Sequence, residues 1–198
     1  MNHALSVSLV AAIAGSASAQ ITEFSFQGNA GFGLLPGNEA GNNTPVSAGV
    51  GSPAFGGEVG GGLAFDASTN ILSFDFEFSG LSGGLFDAVS GIHFHEITSG
   101  AAPFDGTGGI VFNLNSGDDA NVSLSSPLVA IGSTDGRVTG TAQFAASQVD
   151  ALFAGNFYLN IHSGDFTGGE LRGSLVPIPA PASGVVLAGL GLVAGRRR

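Results

Sequence analysis

The chain has no cysteine, no tryptophan and no lysine. Without cysteine, disulfides and thiolate zinc sites are excluded, and packing and hydrogen bonds must supply the stability. Without lysine, a phosphate loop of the G-x-x-x-x-G-K type cannot exist. Basic charge is scarce altogether: five arginines face fifteen acidic residues, and three of the five are the terminal Arg196, Arg197 and Arg198. Only Arg137 and Arg172 answer the carboxylates spread between Glu23 and Glu170. Such a body repels nucleic acid and anionic lipid, which excludes a nucleic-acid partner. An acidic surface serves solubility and is also compatible with divalent cations. The sequence contains no H-E-x-x-H, so that metalloprotease signature is missing too. It shows no repeat at a period of about 20–50 residues, which sets aside solenoids and propellers.

What is abundant is glycine, at 34 residues, and phenylalanine, at 16. Glycine with many β-formers and few helix-formers predicts short strands joined by tight turns. The length of 198 residues fits one domain. "NILSFDFEFSGL" is the clearest strand, with Leu72, Phe74, Phe76 and Phe78 alternating with Ser73, Asp75, Glu77 and Ser79. "ITEFSFQ" places Ile21, Phe24 and Phe26 near one face, and "GIHFHEI", "GGIVFNL", "GRVTGTAQF", "NFYLNIHS" and "GGELRGSL" read as further strands. "SQVDALFAG" predicts a short helical turn capped by Ser147 and stopped by Gly155. The Gly-rich region from Gly28 to Gly62 has little periodicity and reads as a long loop with at most an irregular strand. The predicted fold is all-β, an antiparallel Greek-key β-sandwich of about seven to nine strands.

Both ends read as addresses. Residues 1–19 form an apolar run followed by Ala17-Ser18-Ala19, an A-x-A cleavage pattern that leaves Gln20 as the first mature residue. The body then spans residues 20–176. Residues 177–198 hold a Pro-rich linker (Pro177, Pro179, Pro181), an apolar stretch from Gly184 to Gly195 and the arginine end. That stretch is short against the roughly 20 residues of a permanent span. The tail resembles the PEP-CTERM bacterial sorting signals, although the usual Glu between prolines is missing. This resemblance implies transient membrane association, a sorting transpeptidase as partner, and a destination at the cell surface or outside the cell.

Two of the four histidines, His93 and His95, lie one residue apart on a predicted strand. Alternation sends both to one face, with Cα atoms about 6.5 Å apart, so both imidazoles can reach one cation. His162, on another strand, is the third candidate ligand. The other reading of these histidines is framework: hydrogen-bonded residues that close a sandwich edge or a loop base. Glu96 either orients an imidazole or faces solvent. Glu170 and Arg172 share a strand face, where they make a framework ion pair or hydrogen bonds to loop backbone, with anion recognition as the second role. Asp118 and Asp119 in "SGDDANVS" read as an ordinary turn before a calcium site. Asp75 and Glu77 read as exposed.

"GIHFHE", then "GGIVFNL", then "NFYLNIHSGDFTGGELRGSL" resembles the CHRD domain first named in chordin. The pattern falls on His93 and His95, on Gly109 to Phe112, on Tyr158, Asn160 and His162, and on Gly168, Gly169, Glu170, Arg172 and Gly173. The resemblance runs from Phe24 to Leu175 and implies an extracellular β-sandwich module. A weaker likeness to the Cu/Zn superoxide dismutase sandwich implies copper ligation by His93, His95 and His162, with Arg172 guiding an anion. No histidine lies between His95 and His162 to bridge to a zinc ion, so at most a three-His mononuclear site remains. The expected protein is therefore exported and non-enzymatic, without a resident cofactor, presenting loops to exopolysaccharide or another surface protein. The alternative is an extracytoplasmic protein that holds copper or zinc with three histidines.

Overall fold

The computed structural model describes residues 20–39, 51–87, 91–100 and 103–179. The two address segments, 1–19 and most of 177–198, and part of the Gly-rich region lie outside the described residues.

Among the described residues, ten strands, all paired antiparallel, make one continuous sheet. They are β1 (Ile21–Gly28), β2 (Gly31–Phe32), β3 (Phe55–Asp66), β4 (Ile71–Ser79), β5 (Ile92–Glu96), β6 (Ile110–Asn113), β7 (Val122–Leu124), β8 (Gly136–Gln143), β9 (Phe157–Ile161) and β10 (Leu171–Pro177). Their order is β6-β5-β9-β10-β1-β3-β4-β8-β7, with β2 folded back on β1. β1 is the corner: its Phe24–Gln27 pairs with β10, and its Ile21–Phe24 pairs with β3. The two wings on either side of β1 close over one another, because their inward residues are large and apolar. Phe74 of β4 meets Phe94 of β5 at 6.1 Å between ring centroids, and Phe112 of β6 meets Phe144, just after β8, at 4.8 Å. Phe144 also packs edge-on against Phe65 and Phe157. The result is a flattened, nearly barrel-like all-β fold with phenylalanine at its centre, each buried ring contributing about 1.5–3 kcal/mol through lost contact with water.

β4 buries Leu72, Phe74, Phe76 and Phe78, as its alternation requires. Ile21 departs from expectation: at the start of β1 it is exposed, while Phe24 and Phe26 are buried. The Gly-rich region departs further, because Phe55–Asp66 is a twelve-residue strand rather than a loop. Its register shifts between Glu58 and Leu63, where Gly60 and Gly62 take positive φ of 52° and 64°. A Cβ on Gly60 would stand 2.2 Å from Asp75 Oδ2, so glycine is what lets this bulge lie over the next strand. Asp75 itself is not exposed, as its alternation suggested, but buried beneath that bulge. Its carboxylate accepts two parallel hydrogen bonds from Arg137, both 2.8 Å, and a third from Thr139 at 3.1 Å. The helical turn is a 3-10 turn, Ala146–Gln148, running into an α-helix (α1), Val149–Phe153. Its entry is closed by Gln148 accepting from the Ala145 amide, not by a Ser147 cap, and Gly155 ends it at φ 76°.

Candidate metal centre

β5 turns Ile92 and Phe94 into the core and His93 and His95 to the outer face of the sheet. β9 turns Phe157, Leu159 and Ile161 inward and Tyr158 and Asn160 outward, and β10 puts Arg172 and Ser174 on that same outer side. The register sets His93 opposite Asn160 and His95 opposite Tyr158, while Arg172 lies opposite Asn160 from the other flank. His162 follows β9 by one residue, and its amide donates to the Gly91 carbonyl at 2.8 Å, so it continues the same face. An outer sheet face would normally meet water. Here β9 is buried along its whole length, because a layer of loops covers it.

Each loop is tied down by this polar face. The Ser174 hydroxyl donates to the Pro103 carbonyl, Arg172 Nη2 donates to the Gly106 carbonyl at 2.6 Å, and His95 Nδ1 bonds the Gly108 carbonyl at 2.9 Å. From another side, Leu35 pairs in a bridge with Arg172, and Asn38 Nδ2 donates to the Arg172 carbonyl at 3.0 Å. Glu170 works on two further loops. Its carboxylate accepts from the Ser82 amide (3.0 and 3.1 Å), from the Ser82 hydroxyl (2.9 Å) and from the Ser52 hydroxyl. Glu170 and Arg172 therefore do not pair with each other; each holds loops separately.

Beneath this cover, His93, His95 and His162 converge. The His93 ring lies 4.5 Å from that of His95 and 4.6 Å from that of His162, centroid to centroid. One ring nitrogen from each of the three lies within 4.8 Å of the other two. The tautomers follow from the partners. A carbonyl only accepts, so His95 carries its proton on Nδ1 toward Gly108, and His162 carries its own on Nδ1 toward Thr167 O at 2.8 Å. The Nε2 lone pairs of His95 and His162 are then available; both atoms are buried and accept no hydrogen bond among the described residues. Burial pushes the His95 imidazole down to about 4, against the opposing Gly108 carbonyl and with help from the Arg172 charge and, where it is protonated, from His162. Burial lowers His162 as well, against the Thr167 carbonyl. Both are neutral near pH 7, the state in which imidazole ligates metal.

Around the trio stands a stack. Tyr158 lies parallel to His95, 4.6 Å between centroids at 8°, and Arg172 places its guanidinium carbon 3.7 Å from the Tyr158 ring centre. Arg172 is only 1% exposed, and burial lowers its affinity for its proton while the fully buried Glu39 raises it. Its Nη1 finds no partner among the described residues. The glycines named with these residues have steric reasons. Gly169 takes φ 126°, and a Cβ there would stand 2.6 Å from Asn160 Oδ1; a Cβ on Gly173 would stand 2.7 Å from the Phe26 Cβ. Gly168 sits in the turn before them.

Glu96 bonds no imidazole among the described residues. Asp119 accepts from the amides of Asn113 (2.9 Å) and Asn121 (3.0 Å), which makes "SGDDANVS" a turn, and Asp118 is exposed beside it. The sequence reading missed Asn38, Glu39, Gly106, Gly108 and Thr167. Three of these act through backbone carbonyls, which no residue type announces.

Three histidines on one side of a loop-covered sheet bring together, in an all-β module, nitrogen donors of the kind that ligate copper and zinc. The CHRD domain family matches residues 35–175, and the chain belongs to that family. The match begins inside the span from Phe24 expected from sequence and leaves out β1. No curated protein and no solved structure matches the chain.

Proposed function

We propose that this CHRD-domain protein is an exported, non-enzymatic module of the cell surface or extracellular space that binds one copper or zinc ion through His93, His95 and His162. The observation that carries this reading is the convergence of the three ring nitrogens within 4.8 Å, with two imidazoles held by backbone carbonyls so that Nε2 faces the cluster. His95 and His162 each keep a buried Nε2 without a hydrogen-bond partner among the described residues, a lone pair of the kind that ligates a cation. The address-like ends at 1–19 and 177–198 support a location outside the cytoplasm, where the acidic body remains soluble. Presentation of the covering loops to a polysaccharide or another surface protein is compatible with this role.

Calorimetric titration of the mature chain with Cu²⁺ and Zn²⁺ tests the reading. One ion per chain with submicromolar affinity is expected, lost in His93→Ala and in His162→Ala. Absence of any heat change with both ions would remove the metal function.

A further inference from the structure

Three imidazoles leave a divalent ion short of donors. Zinc completes a tetrahedron and divalent copper a square or tetragonal set, yet no carboxylate joins the three histidines among the described residues. Asn113 stands beside the gap. It lies opposite His93 in the register of β5 and β6, so the two side chains share the outer face. The Leu114 amide donates to the Ile92 carbonyl at 2.9 Å, which makes Ile92 and Leu114 a hydrogen-bonded pair. His93 and Asn113, one step along, are then the narrow kind of pair, with Cα atoms about 4.5 Å apart. The Asn113 amide turns away from β5 to donate to Asp119 at 2.9 Å, which fixes the residue at the sheet edge. Its Oδ1 is buried and accepts no hydrogen bond among the described residues. Asn160, on the other flank of His93, is placed differently. A Cβ on Gly169 would stand 2.6 Å from its Oδ1 and 2.8 Å from Glu39 Oε1, so that oxygen lies against the turn and the Glu39 carboxylate.

A carboxamide oxygen only accepts, and the Nε2 atoms of His95 and His162 offer lone pairs of their own. A bare cation would satisfy the nitrogens and leave the Asn113 oxygen unpaired. A cation carrying water satisfies both, because the water fills the missing coordination position and donates a hydrogen to the oxygen. Access exists as well. A cavity of about 470 Å³ opens between the two free edges of the sheet, lined by Asn113 of β6, by Asp119 and by Val122 and Leu124 of β7. Resting on the three-histidine reading, we propose that the bound divalent ion keeps one exchangeable position, filled by a water that donates to Asn113 Oδ1 and is displaced by small lone-pair donors such as azide. Asn113 is a positioning residue in this arrangement: it holds the water, while the imidazoles hold the ion.

The test uses the purified mature chain loaded with one equivalent of Cu²⁺. Bulk-water proton relaxation reports an exchangeable water on the ion, and azide titration followed by visible absorption gives the azide affinity. The parent should show enhanced relaxation that falls as azide saturates the site. Asn113→Leu removes the acceptor and leaves the three imidazoles, so azide should bind about fivefold tighter, the water it displaces having lost a hydrogen bond. Asn113→Asp keeps an oxygen there, and azide should bind it no tighter than the parent. Asn113→Val, which suits a strand, carries the same expectation as the Leu variant if that one does not fold. A copper-loaded parent with no relaxation enhancement, or one indifferent to azide, overturns the proposal and leaves a closed three-His site. An azide affinity that stays within about twofold when the acceptor is removed also overturns it, and assigns the Asn113 oxygen to water of the edge cavity. Failure of the parent to bind either Cu²⁺ or Zn²⁺ removes the underlying metal reading instead.

Discussion

Replacing Glu170 by glutamine isolates what one buried carboxylate does for the loop cover. The side chain is fully buried and collects the Ser82 amide, the Ser82 hydroxyl and the Ser52 hydroxyl. Hydrogen bonds to a charged acceptor contribute about 1.5–3 kcal/mol each, so three would suggest well over 4 kcal/mol. That sum overshoots, because a neutral amide also relieves the several kcal/mol that burying the carboxylate costs. The amide keeps one acceptor oxygen, but its NH2 must face the Ser82 N–H or a serine hydroxyl that has turned. A net loss of about 2–3 kcal/mol is expected, a large share of a total stability of about 5–15 kcal/mol. Urea unfolding followed by circular dichroism measures the loss, and amide exchange should show Ser82 exchanging faster in the variant. A Gln variant within about 0.5 kcal/mol of the parent, with Ser82 protection unchanged, would refute the reasoning.

Phe144→Ala removes a ring that touches Phe65, Phe112 and Phe157, and a loss of about 3–5 kcal/mol should appear as a lower urea midpoint. Asp75 is held down to about 2, chiefly by the hydrogen bonds from Arg137. A depressed carboxylate stabilises the fold above its unfolded value near 4 and loses that contribution as pH falls toward 2; because Arg137 is half exposed, the amount is at most about 1 kcal/mol. Asp75→Asn should flatten the stability profile across that window. In metal-free buffer with chelator, His95 acts on a different window. Its folded value near 4 lies below the unfolded 6.5, so stability is complete above about pH 6.5 and falls as the unfolded chain takes up protons toward pH 4, by on the order of 2–3 kcal/mol. Urea midpoints that stay constant from pH 7.5 to 4.5 would contradict the buried, neutral imidazole.

Much of the fold was legible wherever side chains alternate. β4 and β9 read directly because phenylalanine, leucine and isoleucine occupy every second position. β3 was hidden because glycine carries no side chain to alternate, and because its register slips at Gly60–Gly62. Asp75 was misread for a related reason: its strand position faces outward, but the glycine bulge lies across it and Arg137 folds over it. The pairing of His93 with His95 followed from strand geometry, and His162, expected on a strand, sits one residue past β9 and keeps that strand's two-residue period. The cover could not be read. It depends on the carbonyls of Gly106, Gly108 and Thr167 and on the Leu35–Arg172 bridge, which brings Glu39 beside a strand far away in the chain.

The imidazoles and the phenylalanines occupy opposite sides of the same ribbons, so the histidine layer and the oily interior share backbone but no side chains. Chemistry on the outside of the sheet can therefore be rewritten, by exchanging Tyr158, Arg172 or the covering loops, while the interior that keeps the molecule folded is left intact. Such a division makes the domain a mount whose outer chemistry can change without giving up its shape.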